Sequence, residues 1–422
     1  MTRNYLADYD LLAVSANTKE AAINTEQTLD TSLLISKSNI LQLETRREDN
    51  AEELTGKEEP DTVYDLGGLA KGTLDFEKAQ AQHFGFGLAY GLGVVSTAAW
   101  GTGYKHTITP ASSMDLPAFT AAMRLGKTII KRRFASMFVG SLTATFEKDA
   151  WAKLSLETQG TGKYTDNVTK ETVTAAYNAT SLTLAANAVQ GSTAADRLDN
   201  VHQVRVKVPT TNEWVEVSYS AVSAATPAGI TIVAPGGAAT STDYEIIYVP
   251  TEAAWCTFPS RVSESPLRTA GLTLKVGGKW DGSAFQGGRT LTSEVDSVEY
   301  KLDNQLAVEF RVGGTDTYAN YALRQGRMQT ITLNRQAREF ILQRRMIDNE
   351  YFGVYVKATG AEFESGKNYY VEMIFPRCNV LNSPLSVNGK VLAEAGDIKV
   401  LEDDTYGSVI AVVANKVATY AA

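Results

Sequence analysis

The sequence predicts a mainly β protein, built of β-sandwich or barrel domains that each carry one short helix, internally duplicated, with a small β-sandwich domain inserted between the halves. Three observations predict it. Apolar residues fall on one parity throughout "VGSLTATFEKDAWAKLSLETQG", Val139 to Gly160. A stretch 156 residues downstream repeats that pattern without a gap. Between about Lys163 and Ser260 the composition shifts to Ala, Thr, Ser and Val. The expected domains are 1–162, an inserted immunoglobulin-like or similar domain at 163–260, and 261–422.

In chain order, the first half offers strands in "TSLLISKSNILQLETRR" and "GGLAKGTLDFE", then a helix in "KAQAQHFGFGLAYGLG" stopped by Gly93. Strands follow at "YKHTITP" and "FTAAMRL". In the alternating stretch, Leu142, Ala144, Phe146, Ala150, Ala152, Leu154 and Leu156 share one face, which means two half-buried strands. The parity survives Glu147-Lys148-Asp149, so a three-residue loop closing an antiparallel hairpin fits the count. Shifted by 156 residues, Ser141–Leu156 lies over Ser297–Val312, and seven apolar positions coincide, from Leu142 on Val298 to Leu156 on Val312. The expectation is a duplicated β domain with a second hairpin.

The insert reads as five short strands: "TSLTLAANAV", "VHQVRVKV", "EWVEVSYSAV", "GITIVAP" and "DYEIIYVP". The second half begins with "GLTLKVGGKW" and the matching hairpin and continues through "RMQTITLN". A helix is expected over "RQAREFILQRRMIDN", with Phe340, Ile341 and Met346 as the stripe that lies on a sheet. The chain finishes with strands at "FGVYVKATG", "NYYVEMIFP" and "GSVIAVVAN".

Composition bounds the function. The 422 residues are 44% hydrophobic and 21% charged, ordinary for a folded protein. A net charge of -8 and a pI near 5.2 argue against a protein that grips nucleic-acid phosphates. Two cysteines, Cys256 and Cys378, supply neither a disulfide framework nor a cysteine zinc site. No run of some 18 apolar residues occurs, so a soluble, cytoplasmically made protein is expected.

The motif search points away from catalysis. His83, His106 and His202 fall in a helix, a strand and the insert, without ligand spacing. Gly126-Lys127-Thr128 ends like a P-loop, but Ala121 stands where that motif needs glycine, and both flanks read as β. The glycines of "FGFGLAYGLG" lack a βαβ context and suit close helix packing instead. Asp403-Asp404 sits in a turn. The expectation is no enzyme, no metal and no cofactor.

"GYKHTITPASSMDLPAFTAAMRLG" followed by "FASMFVGSLTATFEKDAWAKLSLETQGTG" resembles the core of the tail tube proteins of long-tailed bacteriophages. "SEVDSVEYKLDNQL", "GGTDTYANYALRQGRMQTITL", "VEMIFPRCNVLNSPLS" and "DDTYGSVIAVVANKV" are similar to that family too. The resemblance covers about three quarters of the chain, leaving out the insert and roughly the first forty residues. It rests on pattern and order rather than on an invariant motif, and the insert and the length depart from a minimal subunit.

The resemblance implies a structural virion protein, assembled in the host cytoplasm and located in the tail. Its partners would be its own copies in stacked rings, the tape-measure protein, and the tail terminator and distal tail proteins. Genomic DNA would pass without specific binding, and no membrane is involved. The hairpins of such rings join into an inner barrel, with Thr145, Glu147, Asp149, Lys153 and Glu157 facing the lumen or a neighbour. Glu299, Asp303, Glu309 and Arg311 would do the same in the duplicate. The segment Glu44–Asp61 has fourteen charged or polar positions and is expected to be a mobile loop. Its Arg46, Arg47, Glu48, Asp49, Glu52 and Glu53 would reach the adjacent ring. Two tube domains per chain imply rings of three chains; a single larger domain would imply six. Two other readings stay open: the tube of a contractile injection machine, and a carbohydrate-binding or adhesion protein suggested by the Thr/Ser/Ala-rich insert.

Overall fold

Alternating apolar residues hold most of this chain extended, and the computed structural model describes it over residues 10–36, 41–126, 130–291, 293–315 and 317–421. The fold is mainly β. The first half contains β1 (Leu11–Val14), β2 (Thr31–Leu33), β3 (Gln42–Asp49), β4 (Val63–Phe76), α1 (Ala81–Leu92) and β5 (Gly93–Trp100). It continues with β6 (Gly103–Pro110), β7 (Phe119–Leu125), β8 (Ile130–Glu147) and β9 (Lys153–Gly160). Next come β10 (Tyr164–Asp166), β11 (Thr169–Ala176), β12 (Ser181–Thr183), α2 (Ala194–Asp199) and β13 (Val201–Lys207). After these follow β14 (Trp214–Glu216), β15 (Tyr219–Val222), β16 (Gly229–Ile232) and β17 (Ser241–Tyr248). The second half holds β18 (Leu272–Trp280), β19 (Phe285–Leu291), β20 (Val295–Asp303), β21 (Leu306–Glu309), β22 (Tyr321–Arg324) and β23 (Met328–Gln336). It ends with α3 (Ile341–Ile347), β24 (Phe352–Glu364), β25 (Lys367–Asn382), β26 (Leu385–Asn388), β27 (Val391–Leu401) and β28 (Ile410–Asn415).

The chain divides into two compact units. Of the described residues, one holds 10–11, 123–126, 130–133 and Tyr164–Phe258; the other holds those within 12–122, 134–163 and 259–421. The two flanking halves thus share one unit, because their strands pair directly: β8 with β20, and β6 with β28.

The smaller unit has a four-stranded antiparallel sheet, β11-β17-β13-β14, and a three-stranded one, β12-β16-β15. Leu182 and Ile230 from one sheet and Val204, Tyr244 and Ile246 from the other share a single apolar cluster. The expected strand "EWVEVSYSAV" is split between the two sheets as β14 and β15. The reading above omitted β11 and α2, although Thr193 and Asp196 form a capping box at the start of α2.

In the larger unit every residue of α1 is buried. Gln80 and His83 close a capping box at its start, and Gly93 ends it in the left-handed region at φ 103°. Its glycines are clearance. A Cβ on Gly85 would lie 2.6 Å from the Tyr420 ring, and one on Gly87 would lie 2.8 Å from Leu156. Helix and sheet therefore approach closely at Gly87 and Gly91, and helix and C-terminal segment at Gly85, the close helix packing that the sequence suggested.

The second predicted helix is shorter than expected. Residues up to Gln336 belong to β23, and α3 turns Leu342 inward while Phe340 and Ile341 stay exposed, 70% and 39%. The cause is Arg335, only 2% exposed. Its guanidinium lies 2.6 Å from Glu394 on the paired strand β27, which holds this segment extended.

Candidate functional site: the polar face of the sheet

β3, β4, β9, β8, β20, β23, β27 and β26 lie side by side, and every neighbouring pair is antiparallel. Register carries the alternation straight across. On one face Phe76, Leu154, Ala144, Tyr300, Ile331 and Ile398 form a row, each at most 1% exposed. Leu74, Leu156, Leu142 and Leu302 form the next, all fully buried. Each such side chain contributes about 1.5–3 kcal/mol on leaving water. Gly87 and Gly91 of α1 approach Leu156, Leu142 and Leu302 on this face.

One residue out of phase, the opposite face is polar. Its rows are Thr73, Glu157, Ser141 and Asp303; Asp75, Ser155, Thr143, Lys301, Thr330 and Lys399; and Lys153, Thr145, Glu299, Thr332 and Asp397. Glu147, Ser297 and Asn334 complete it. Six carboxylates, Asp75, Glu147, Glu157, Glu299, Asp303 and Asp397, face three lysines, Lys153, Lys301 and Lys399, so the face is net acidic.

Local bonds hold several of these groups. Ser141 donates to Glu157 at 2.8 Å, Ser155 donates to Asp75 at 2.5 Å, and Lys153 lies 3.1 Å from Glu147. Among the described residues Lys301 and Lys399 form no ion pair, leaving those charges to water. An open groove of about 980 Å³ runs along one end of the face between Glu44, Lys71, Ser141, Glu157 and Asp303.

The hairpins behind the sequence reading differ from expectation. The three-residue loop is absent. Thr145 pairs with Lys153 as the last β8–β9 pair, while Phe146 and Glu147 pair instead with Val298 and Ser297 of β20. The intervening residues bond elsewhere: Lys148 N–H donates to Asp296 O, and Ala152 N–H donates to Leu267 O. Asp149 sits at φ 54° in the turn.

The second hairpin does not form. β20 has β8 on one side and β23 on the other, so no edge is left for the following segment. That segment, β21, pairs with β22 in a separate two-stranded ribbon. Glu309 and Arg311 go with the ribbon, where they lie 2.7 Å apart and Arg311 covers the Tyr321 ring. The face thus brings together Thr145, Glu147, Lys153, Glu157, Glu299 and Asp303. Asp149, Glu309 and Arg311 lie outside it.

Within the segment Glu44–Asp61, Glu44–Asp49 belong to β3, one strand of a β-hairpin arm, and residues 50–61 form the loop at its tip. β3 pairs with β4 from Gln42↔Lys71 to Asp49↔Val63, with Glu44 2.5 Å from Lys71. Strands solvated on both faces need no apolar core when their backbone groups pair. Arg46 lies over Phe310, and Arg47, Glu48 and Asp49 are exposed on β3. Asn50 closes the arm by accepting from Asp61 N–H at 3.1 Å and donating to Asp61 Oδ1 at 2.7 Å. Glu52 and Glu53 follow in the tip, where Tyr64 donates to Glu53 at 2.8 Å.

The remaining candidates for chemistry have structural surroundings. His83 accepts from Gln80 N–H and stacks on Phe76, and burial holds its pKa down at about 3. His106 contacts Thr97, Asn415 and Val417 O. Burial raises both thiols, Cys256 and Cys378. Asp403 accepts from Thr405 and Tyr406 N–H in its turn. Lys127 and Thr128 lie outside the described residues. Among those residues no group of three His, Cys, Asp or Glu is placed to hold a metal, and no helix is long and apolar enough to cross a membrane. No protein-family model matches the chain, and no curated protein matches it.

Proposed function

We propose that this chain is the tube subunit of a bacteriophage tail, a structural protein whose copies stack as rings around a conduit for DNA. One observation carries the reading: a run of eight consecutive antiparallel strands within the 19-stranded sheet, with one face on the core and a hydrophilic, net acidic opposite face. A wall for DNA in transit should attract phosphate weakly, and carboxylates in excess over lysines do that.

Strand spacing supports three chains per ring. Three copies give 24 strands; at about 4.8 Å per strand the barrel is about 37 Å across, and side chains leave roughly 25 Å clear. With strands parallel to the axis, two copies leave about 12 Å, too narrow for a double helix about 20 Å wide, and six leave roughly 60 Å. Electron microscopy of the concentrated protein tests the reading. Hollow tubes whose rings hold three chains by native mass spectrometry are expected. A protein that stays monomeric at millimolar concentration refutes it, and rings of six refute the stoichiometry.

A further inference from the structure

Two open edges bound the sheet that carries the polar face. At one end, β3 pairs with β4 alone among the described residues. At the other, the chain from Asn379 of β25 through β26 pairs with β27, while β24 stops opposite Cys378. Apolar side chains stand exposed beside both edges. On the arm Val63 is 62% exposed and Tyr64 43%; at the far edge Leu381 is 61%, Val387 74%, and Phe340, which caps the start of α3, is 70% exposed. An unpaired edge flanked by exposed apolar side chains is a site of association.

The pairing order identifies the partner. β3-β4-β9-β8 is followed by β20-β23-β27-β26, and, setting aside the intervening β5–β7 in the first and β21, β22, β24 and β25 in the second, the two quartets are built alike: two paired strands, a helix, then two more paired strands whose second member lies beside the second member of the first pair. Within the chain, the last strand of the first quartet, β8, pairs with the first strand of the second, β20. β26 and β3 hold the corresponding places at the open ends. Because all neighbours are antiparallel and the strands number eight, β26 runs opposite to β3, so a copy rotated about an axis along the strands meets it in antiparallel sense. Charge adds to this: Glu44–Asp61 carries eight acidic residues against three basic ones, and Arg338 and Arg344, which already pair with Glu294 at 3.8 Å and Asp348 at 2.7 Å, remain 51% and 72% exposed.

We propose that the β25–β26 edge and the outer face of α3 dock the β3–β4 arm of a second copy of this chain, head to tail. The proposal rests on the tube reading and narrows it to one seam. Two blocked variants test it: Leu385→Lys/Val387→Lys at the edge, and Val63→Lys/Tyr64→Lys/Leu66→Lys on the arm. All five side chains are exposed, so both variants should keep the wild-type circular dichroism and melting temperature.

Each variant alone should sediment as a monomer. An equimolar mixture should give a dimer of twice the mass and nothing larger, because one good seam remains. Tubes formed by either variant, or a mixture that stays monomeric, overturn the proposal while wild-type tubes keep the function. Wild-type copies that join by this seam into open ribbons without a bore uphold the proposal and refute the tube. A wild type that never associates rejects both.

Discussion

Arg335 shows what one side chain holds together. Its guanidinium reaches Glu394 at 2.6 Å and Glu339 at 2.7 Å, while Ser383 donates to the second oxygen of Glu394 at 2.6 Å. Cutting a buried pair strands the remaining charge, so Arg335→Ala is expected to lower the unfolding free energy by about 3–5 kcal/mol, read by denaturant titration. Arg335→Met, which fills the volume, leaves Glu394 equally uncompensated and should fare little better. His83 makes a prediction about pH. Burial puts its folded pKa at about 3, below the ordinary 6.5, so the unfolded chain binds more protons between those values and stability falls as the pH falls. Between pH 6.5 and 4 the loss is about 3 kcal/mol. Glu264 opposes it: burial pushes its carboxyl up to about 7, so folding takes up a proton there and stability rises on acidification between about 7 and 4.5. The two nearly cancel in the wild type, so a His83→Gln variant, which leaves Glu264 unopposed, should melt higher as the pH falls from 6.5 to 4.5, and a profile unchanged from the wild type would show that another group titrates. Little of this residue-level detail was legible in the sequence. Arg335 stands among helix-forming neighbours, and its partners Glu294 and Glu394 lie far away along the chain.

Elements were more legible, for physical reasons. Strict alternation exposed β8 and β9, because one face is core and the other water, and Gly93 marked the end of α1 through a backbone angle that other residues resist. The loops between strands were less legible, since parity fixes which way side chains point and says nothing about which strand lies alongside. β20 shows this: its pattern matches β8 at an offset of 156 residues, yet the two strands are neighbours in one sheet, and the pairing order sets β20 beside β3 as its counterpart. The loop expected over Glu44–Asp61 is present over residues 50–61, whereas Glu44–Asp49 are strand, because charge density resembles a loop and does not reveal the backbone pairing that sustains β3. Deleting Arg47–Glu59 removes no side chain of the core. The shortened chain should melt within a few degrees of the wild type and form no tubes; normal tubes from it would show that the arm is dispensable. α1 gives a packing test. Gly85→Ala gains helix propensity of about 1 kcal/mol but forces the new methyl against the Tyr420 ring, a clash that costs about 1–3 kcal/mol, so a net drop in melting temperature is expected.

At the scale of the whole molecule, no pair across the polar face involves a residue between Lys163 and Ser260. Replacing that stretch by a short Gly/Ser linker should therefore leave association intact and lower only the mass of each ring; a variant that folds but forms no rings would place the module in the assembly contacts. The compositional shift made this module visible, but the sequence divided the rest into two domains where the chain builds one unit. The β8–β20 junction that merges the halves also has a kinetic meaning. Its strands belong to one polypeptide and face each other at an effective concentration of about millimolar or more, whatever the protein concentration outside. Dilution can open only the seams between chains. If the proposed three-chain ring is right, its assembly would show a third-order rather than sixth-order dependence on free subunit, and half of its lateral joints would already be made in each folded chain.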